Sequence, residues 1–279
     1  MKGNALKLGI LGSVLVVVGA VFSTSAASGE DPPKPDTVRT EAIVYVCPPC
    51  GCAADSKTFD APGRCPDCQM GLVRRVAKRG PRNVAIIVFE GVNLLDFAGP
   101  AEVFSTAKGS NGSAYEVFTV ASNKDAVESD HAVATVQPEY SIDRCPKPEV
   151  LVIPGGRVSA LLNDARMMDW IKARGAESDM VLAVADGVEV LAKCGLLEDH
   201  QATIQRWAVK RLQGDHPRIR LVEGRRFVID GKFATTSSVA GGMDAALQIV
   251  EKFEGPEAMV HTAHDMDYPP RSDRETSTP

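Results

Sequence analysis

Short apolar runs rich in Val and Ile recur along the chain at residues 84–89, 115–121, 149–153 and 181–184, with a looser group between 219 and 236. They are too brief for core helices, and most lack strict alternation. They therefore predict strands covered on both faces. Between them the apolar positions shift to helical spacing. Helices are predicted over 100–108, over 165–174, where Met167, Met168 and Ile171 form a stripe, and over 205–212 and 242–253. Strand and helix in alternation predict an α/β, doubly wound sandwich around a mostly parallel sheet. Ligands of such sheets bind beyond the carboxyl ends of the strands. Three segments end strands there: residues 89–96, Pro154-Gly155-Gly156 and Ala185-Asp186-Gly187.

The segment 181–195 reads as a buried strand, a tight turn at Ala185-Asp186-Gly187 and a helix closed by Gly195. That is the layout of a nucleophile elbow, which lifts one reactive side chain above a sheet. Its tip needs Ser, Cys or Thr to attack a substrate. Here the tip is Ala185, so the geometry is expected without its usual chemistry.

The ends of the chain depart from this pattern. Lys2 and Lys7 flank the start of an apolar run over 8–22, and small residues follow. Ser25 and Ala27 fall at the −3 and −1 positions of a cleavage site, so residues 1–27 are read as a secretory signal. The run is shorter than the roughly 20 residues of a membrane span, although an uncleaved anchor stays as the alternative. The expected location is the periplasm or the exterior, with no membrane span after cleavage. Removing the signal takes away two lysines and no acids, moving the formal charge from −5 to −7. With no basic stripe, nucleic acid is not an expected partner. Residues 28–42, with Asp31-Pro-Pro-Lys-Pro-Asp36, read as a linker, and 269–279 as a disordered tail.

Five of the seven cysteines fall between 47 and 68: Cys47-Pro-Pro-Cys50-Gly-Cys52, then Cys65-Pro-Asp-Cys68. Two C-x2-C turns aim four sulfurs at one point, the arrangement of a tetrahedral zinc ribbon. Residues 43–76 are therefore read as a metal-binding module. Its preferred ligands are Cys47, Cys50, Cys65 and Cys68, with Cys52 able to replace Cys50, and its ion Zn²⁺ or another heavy metal. No cofactor is expected in the larger domain. In an oxidising compartment the same cysteines could form disulfides, and that reading stays open. The segment also resembles the short heavy-metal-binding modules of exported efflux proteins. It departs from them at Cys50, where they often carry histidine, and by the extra Cys52.

Residues 82–268 resemble the ThiJ/PfpI family of the class I glutamine amidotransferase-like superfamily. The likeness is strongest to the branch of isonitrile hydratases and AraC-type ligand domains. It rests on five segments in order: 84–104, 150–156, the elbow, 195–203 and 227–244. The resemblance implies a flavodoxin-like sandwich, a small-molecule ligand and a homodimer. It places Asp96 beside the missing nucleophile, although Asp96 could instead cap the helix expected after Gly99-Pro100. It gives Gly155 and Gly156 to an oxyanion pocket built from the amides of Gly156 and Asp186. The glycines would also suit a plain turn. Asp186 stands where a small hydroxyl residue is usual, either in the pocket or as an N-cap. Gln205 replaces a histidine often found before Trp207. His261 and His264 lie one turn apart, read as a solvated helix face. Cys145 and Cys194 both fall toward the amino ends of strands, and their pairing is open. Two functions follow. One is a ligand-binding or sensing pseudoenzyme joined to a metal module. The other is a hydratase or hydrolase acting on a small carbon–nitrogen substrate through Asp96 and Asp186.

Overall fold

The computed structural model describes residues 43–55, 57–76, 80–109 and 112–269. The expected signal and linker, and all but the first residue of the expected tail, lie outside them. Among the described residues no helix is long and apolar enough to cross a membrane.

The cysteine-rich segment forms a three-stranded antiparallel ribbon of β1 (Ile43–Val46), β2 (Thr58–Phe59) and β3 (Val73–Val76), with β1 central. Cys47 and Cys65 are its buried sulfurs, packed with Ala54. So small a cluster holds little apolar area, and domains of this size lean on metals or disulfides for stability.

The larger domain carries β4 (Arg82–Ile87), α1 (Leu94–Thr106), β5 (Tyr115–Ala121), β6 (Tyr140–Ser141), β7 (Val150–Ile153), α2 (Ala165–Glu177), β8 (Met180–Ala183), α3 (Gly187–Lys193), α4 (Arg206–Asp215), β9 (Phe227–Asp230), β10 (Phe233–Thr236), α5 (Gly241–Glu254) and α6 (Pro256–Asp265). Seven strands form one sheet in the order β6-β5-β4-β7-β8-β10-β9. All neighbours are parallel except β9 and β10, which form a hairpin closed at Gly231 with φ +63°. Alternate residues of the strands feed opposite faces. Ala85, Ile87, Leu151, Ile153, Val181 and Ala183 pack on one side, and Val84, Ile86, Val150, Val152 and Leu182 on the other. Each buried Val, Leu or Ile among them contributes about 1.5–3 kcal/mol relative to exposure. This two-sided burial explains the unbroken apolar runs.

The first helix differs from expectation. It begins at Leu94, not Pro100, and runs through Gly99 and Pro100. Gly99 is there for close packing rather than as a break: a Cβ would lie 2.9 Å from the Met243 side chain on α5. Asn93 is the N-cap, its side chain accepting from the Leu95 amide at 3.1 Å. The capping role considered for Asp96 is therefore filled by Asn93, and Asp96 lies in the first turn. Helix α6 carries His261 and His264 on a separate element after Gly255.

Candidate functional site

The chain passes from β4 outward to β5 and β6, then crosses back over β4 to β7. The sheet order thus reverses between β4 and β7, and sheets of this type bind ligands beyond the carboxyl ends of the strands at such a point. Asp96, the Gly155-Gly156 turn and the elbow after β8 all stand there.

Ala185 has φ +51°. A non-glycine residue in this region costs about 1–3 kcal/mol, which the surroundings must enforce. Gly187 donates to the Val184 carbonyl at 2.8 Å, and the Ala185 amide donates to Thr236 Oγ1 at 3.2 Å. Gly187 fits only without a side chain, since a Cβ would meet the Ile153 carbonyl oxygen at 2.1 Å. The elbow is thus kept in full strain, with a buried methyl at its tip. Thr236 was not anticipated as part of the site. Its signal in the sequence, the Thr235-Thr236 pair ending the last parallel strand, is weak on its own.

Asp96 is 1% exposed. Its Oδ2 accepts from the Gly155 amide at 3.0 Å, while Oδ1 is buried without a hydrogen-bond partner. Burial pushes its pKa up to about 7, against the lowering effect of the Gly155 amide and with a further rise from Asp186. Asp186 occupies the N-cap position of α3, yet its side chain makes no capping bond. Its Oδ1 is buried without a hydrogen-bond partner, and the Gly156 amide and Gln205 lie close enough to act on the carboxyl group electrostatically. Burial, with Glu189, raises its pKa, while Gly156, Gln205 and Arg211 oppose the rise. Gly156 holds φ +123°, and a Cβ there would meet the Gly91 carbonyl oxygen at 2.3 Å. Both glycines are therefore required by close packing of the turn. The Gly156 amide, expected in the oxyanion pocket, lowers the pKa of the neighbouring Asp186 carboxyl group. Gln205 precedes α4 without capping it, and its Oε1 is buried without a partner. Asp96, Asp186 and Gln205 thus each keep one buried, unbonded oxygen at the elbow.

Cys194 lies elsewhere. It is buried on the core side, its thiol donating to the Met168 carbonyl at 3.7 Å and pushed up to about 11 by burial. Cys145 packs against the same cluster, and no disulfide joins the two.

In the ribbon, the sulfurs of Cys47, Cys52, Cys65 and Cys68 lie within 4.8 Å of one another. The contacts include Cys47–Cys68 at 3.3 Å and Cys52–Cys65 at 3.8 Å. A tetrahedron with metal–sulfur bonds of about 2.3 Å has edges of about 3.8 Å, so the donor set fits one ion. Cys52 holds the corner preferred for Cys50. Cys50 belongs to a second group with Cys47, Cys52 and Asp55. The Met70 amide, with Cys47, holds the Cys68 thiol down to about 7, which favours the thiolate a metal requires. Gln69 supports that turn with φ +62°.

A flavodoxin-like sheet with a strained elbow and a carboxyl at the switch point defines a protein of the nucleophile-elbow class. The chain belongs to the DJ-1/PfpI family, whose pattern matches residues 82–252, and a heavy metal binding domain matches residues 44–74. It is 26% identical over 197 residues to an isonitrile hydratase of Pseudomonas putida, covering 70% of this chain and 82% of that one. A helix-turn-helix transcriptional regulator of Pseudomonas aeruginosa, CdhR, is 19% identical, with 63% of this chain and 52% of the regulator covered. Among solved structures, a ThiJ/PfpI family protein from Pseudomonas syringae superposes with a TM-score of 0.62 at 25% identity, covering 71% of this chain and 80% of that one. Drosophila melanogaster DJ-1beta superposes at 0.61 and 20% identity over 68% of this chain and all of its own.

Proposed function

We propose that this protein is an exported pseudoenzyme that binds a small ligand at the vacant elbow and carries a zinc ion on its ribbon. The observation that carries the reading is Ala185 at φ +51°. The strain of a catalytic elbow is retained where no nucleophile exists. Asp186 adds to it, because it puts a carboxyl group beside the Gly156 amide, where an oxyanion would gather negative charge.

The ligand class follows from the three unbonded oxygens of Asp96, Asp186 and Gln205. Two or more N–H or O–H donors would satisfy them, and an anion would be repelled. The ligand is therefore neutral or cationic and rich in donors, such as a small amide, amidine or guanidine. A thermal-shift screen of such compounds should find stabilisers of wild type that lose their effect in Asp186→Leu. A screen in which only anions stabilise the protein would sink this reading.

Asp96 favours a second reading. A carboxyl group with a pKa near 7 can both give and take a proton at neutral pH. By analogy with the Pseudomonas putida relative, it could hydrate an isonitrile by activating water, giving an N-substituted formamide. Incubation with a simple alkyl isonitrile separates the two. No formamide is expected from wild type. Formamide that disappears in Asp96→Asn would establish the enzyme instead.

A further inference from the structure

The ribbon carries more donors than one tetrahedral ion can use. Five sulfurs and one carboxylate form two overlapping groups: Cys47, Cys52, Cys65 and Cys68, and Cys47, Cys50, Cys52 and Asp55. The groups share Cys47 and Cys52, whose sulfurs are 3.8 Å apart. In the second group Cys47 and Cys50 are 3.7 Å apart, and Asp55 Oδ1 lies 3.3 Å from Cys50 Sγ and 3.6 Å from Cys52 Sγ. These spacings are again those of ligands around one small ion. We propose that the ribbon binds two soft d¹⁰ ions of the Zn²⁺ or Cd²⁺ type as a dinuclear cluster, bridged by the thiolates of Cys47 and Cys52.

The inference rests on the metal-binding reading of the ribbon and extends it. Two tetrahedra sharing one edge need two bridging ligands and two terminal ligands on each side. Cys65 and Cys68 are the terminal pair of the inner ion, and Cys50 and Asp55 those of the outer one. Each ligating thiol gives its proton to solvent as its bond to the metal forms. Charge points the same way. Five thiolates and Asp55 with one divalent ion carry a net −4, which a second ion reduces to −2. The turn of residues 50–55 is already shaped for this, since Asp55 accepts from the amides of Cys50 and Gly51, the latter at 2.6 Å. Gly51 itself has φ +81°, a conformation that favours glycine. Cys47 and Cys65 are buried, whereas Cys50 and Asp55 are exposed. The outer ion should therefore exchange faster.

The test uses the full chain, reduced, stripped of metal and titrated with Cd²⁺ in the absence of oxygen. Native mass spectrometry should find two ions per chain. Cadmium NMR should show two resonances with scalar coupling, which requires a shared sulfur. A chelator should remove one ion before the other. Cys50→Ser combined with Asp55→Asn should retain a single tightly held ion and a single resonance, which also shows that the ribbon still folds. Saturation of wild type at one ion overturns the cluster while leaving the single-ion site standing. Two ions in the double variant overturn it as well. A double variant that holds no ion puts Cys50 in the inner set and likewise refutes the assignment. No ion in wild type would refute both the cluster and the metal reading beneath it.

Discussion

At the scale of single residues, the site is governed by two carboxyl groups, Asp96 buried and Asp186 half-buried. Asp96 has a folded pKa near 7 against about 3.9 in an unfolded chain. A carboxyl raised in this way supports the fold while protonated. That support is complete below the unfolded value and is lost as pH rises through the folded one, by at most about 1.4 kcal/mol per pH unit between them. Asp96→Asn keeps an acceptor for the Gly155 amide and cannot ionise. Its melting temperature should match wild type near pH 4 and exceed it at pH 8, so that the two curves diverge through pH 5–7. Parallel curves would mean that Asp96 is not held protonated by the fold. Asp186 acts differently, through negative charge beside the elbow. Ala185→Cys alone should give a sluggish thiol, since the site is buried and the Asp186 carboxylate opposes a thiolate. Adding Asp186→Thr removes that charge from beside the Gly156 amide. A pKa lower by one unit raises the thiolate fraction about tenfold, so alkylation by iodoacetamide should speed up by roughly that factor. Equal rates in the single and double variants would show that Asp186 does not guard the pocket.

At the scale of elements, the site depends on how closely the elbow lies on the neighbouring strand. Gly187→Ala would place a Cβ 2.1 Å from the Ile153 carbonyl oxygen, a backbone atom that cannot step aside. We expect a loss of about 2 kcal/mol or more, seen as a lower midpoint in urea, from overpacking against backbone. A neutral substitution would mean that the turn is looser than drawn. Much of this level was legible in the sequence. The run 181–184 and the Ala-Asp-Gly turn read directly as an elbow, because a strand buried on both faces has no polar positions to confuse its limits. The start of α1 did not read so directly. Gly99-Pro100 looks like a break in isolation, and only the contact of Gly99 with Met243 on α5 shows that the glycine serves close helix packing. The cysteine module was legible as a set of donors. Its choice of Cys52 over Cys50 depends on the three-dimensional path of residues 50–55, which spacing alone does not encode. The bond between Asp96 and the Gly155 amide was hidden for a similar reason, since it joins segments that follow two different strands.

At the scale of the whole molecule, the proposed export and the proposed metal site constrain each other. Five clustered thiols in an oxidising compartment would form disulfides unless something holds them. A bound d¹⁰ ion does so without redox chemistry of its own, tying each sulfur as a thiolate in a metal bond. Protein recovered from the periplasm or the medium should therefore begin at Ser28, as intact mass would show, and carry a formal charge of −7 rather than −5. Its ribbon cysteines should resist alkylation under native conditions until a chelator is added, and should then label rapidly. Cys194, buried and with its thiol pushed up to about 11, should stay unlabelled through both steps. Its silence separates metal release from general unfolding, because unfolding would expose Cys194 together with the ribbon. Recovery of the ribbon cysteines as disulfides, indifferent to chelator, would refute the metal half of the argument. A chain still beginning at Met1 in the cytoplasm would refute the export half. In a reducing cytoplasm the thiols would need no such protection, and the ribbon's ion would have to be explained by capture or delivery alone.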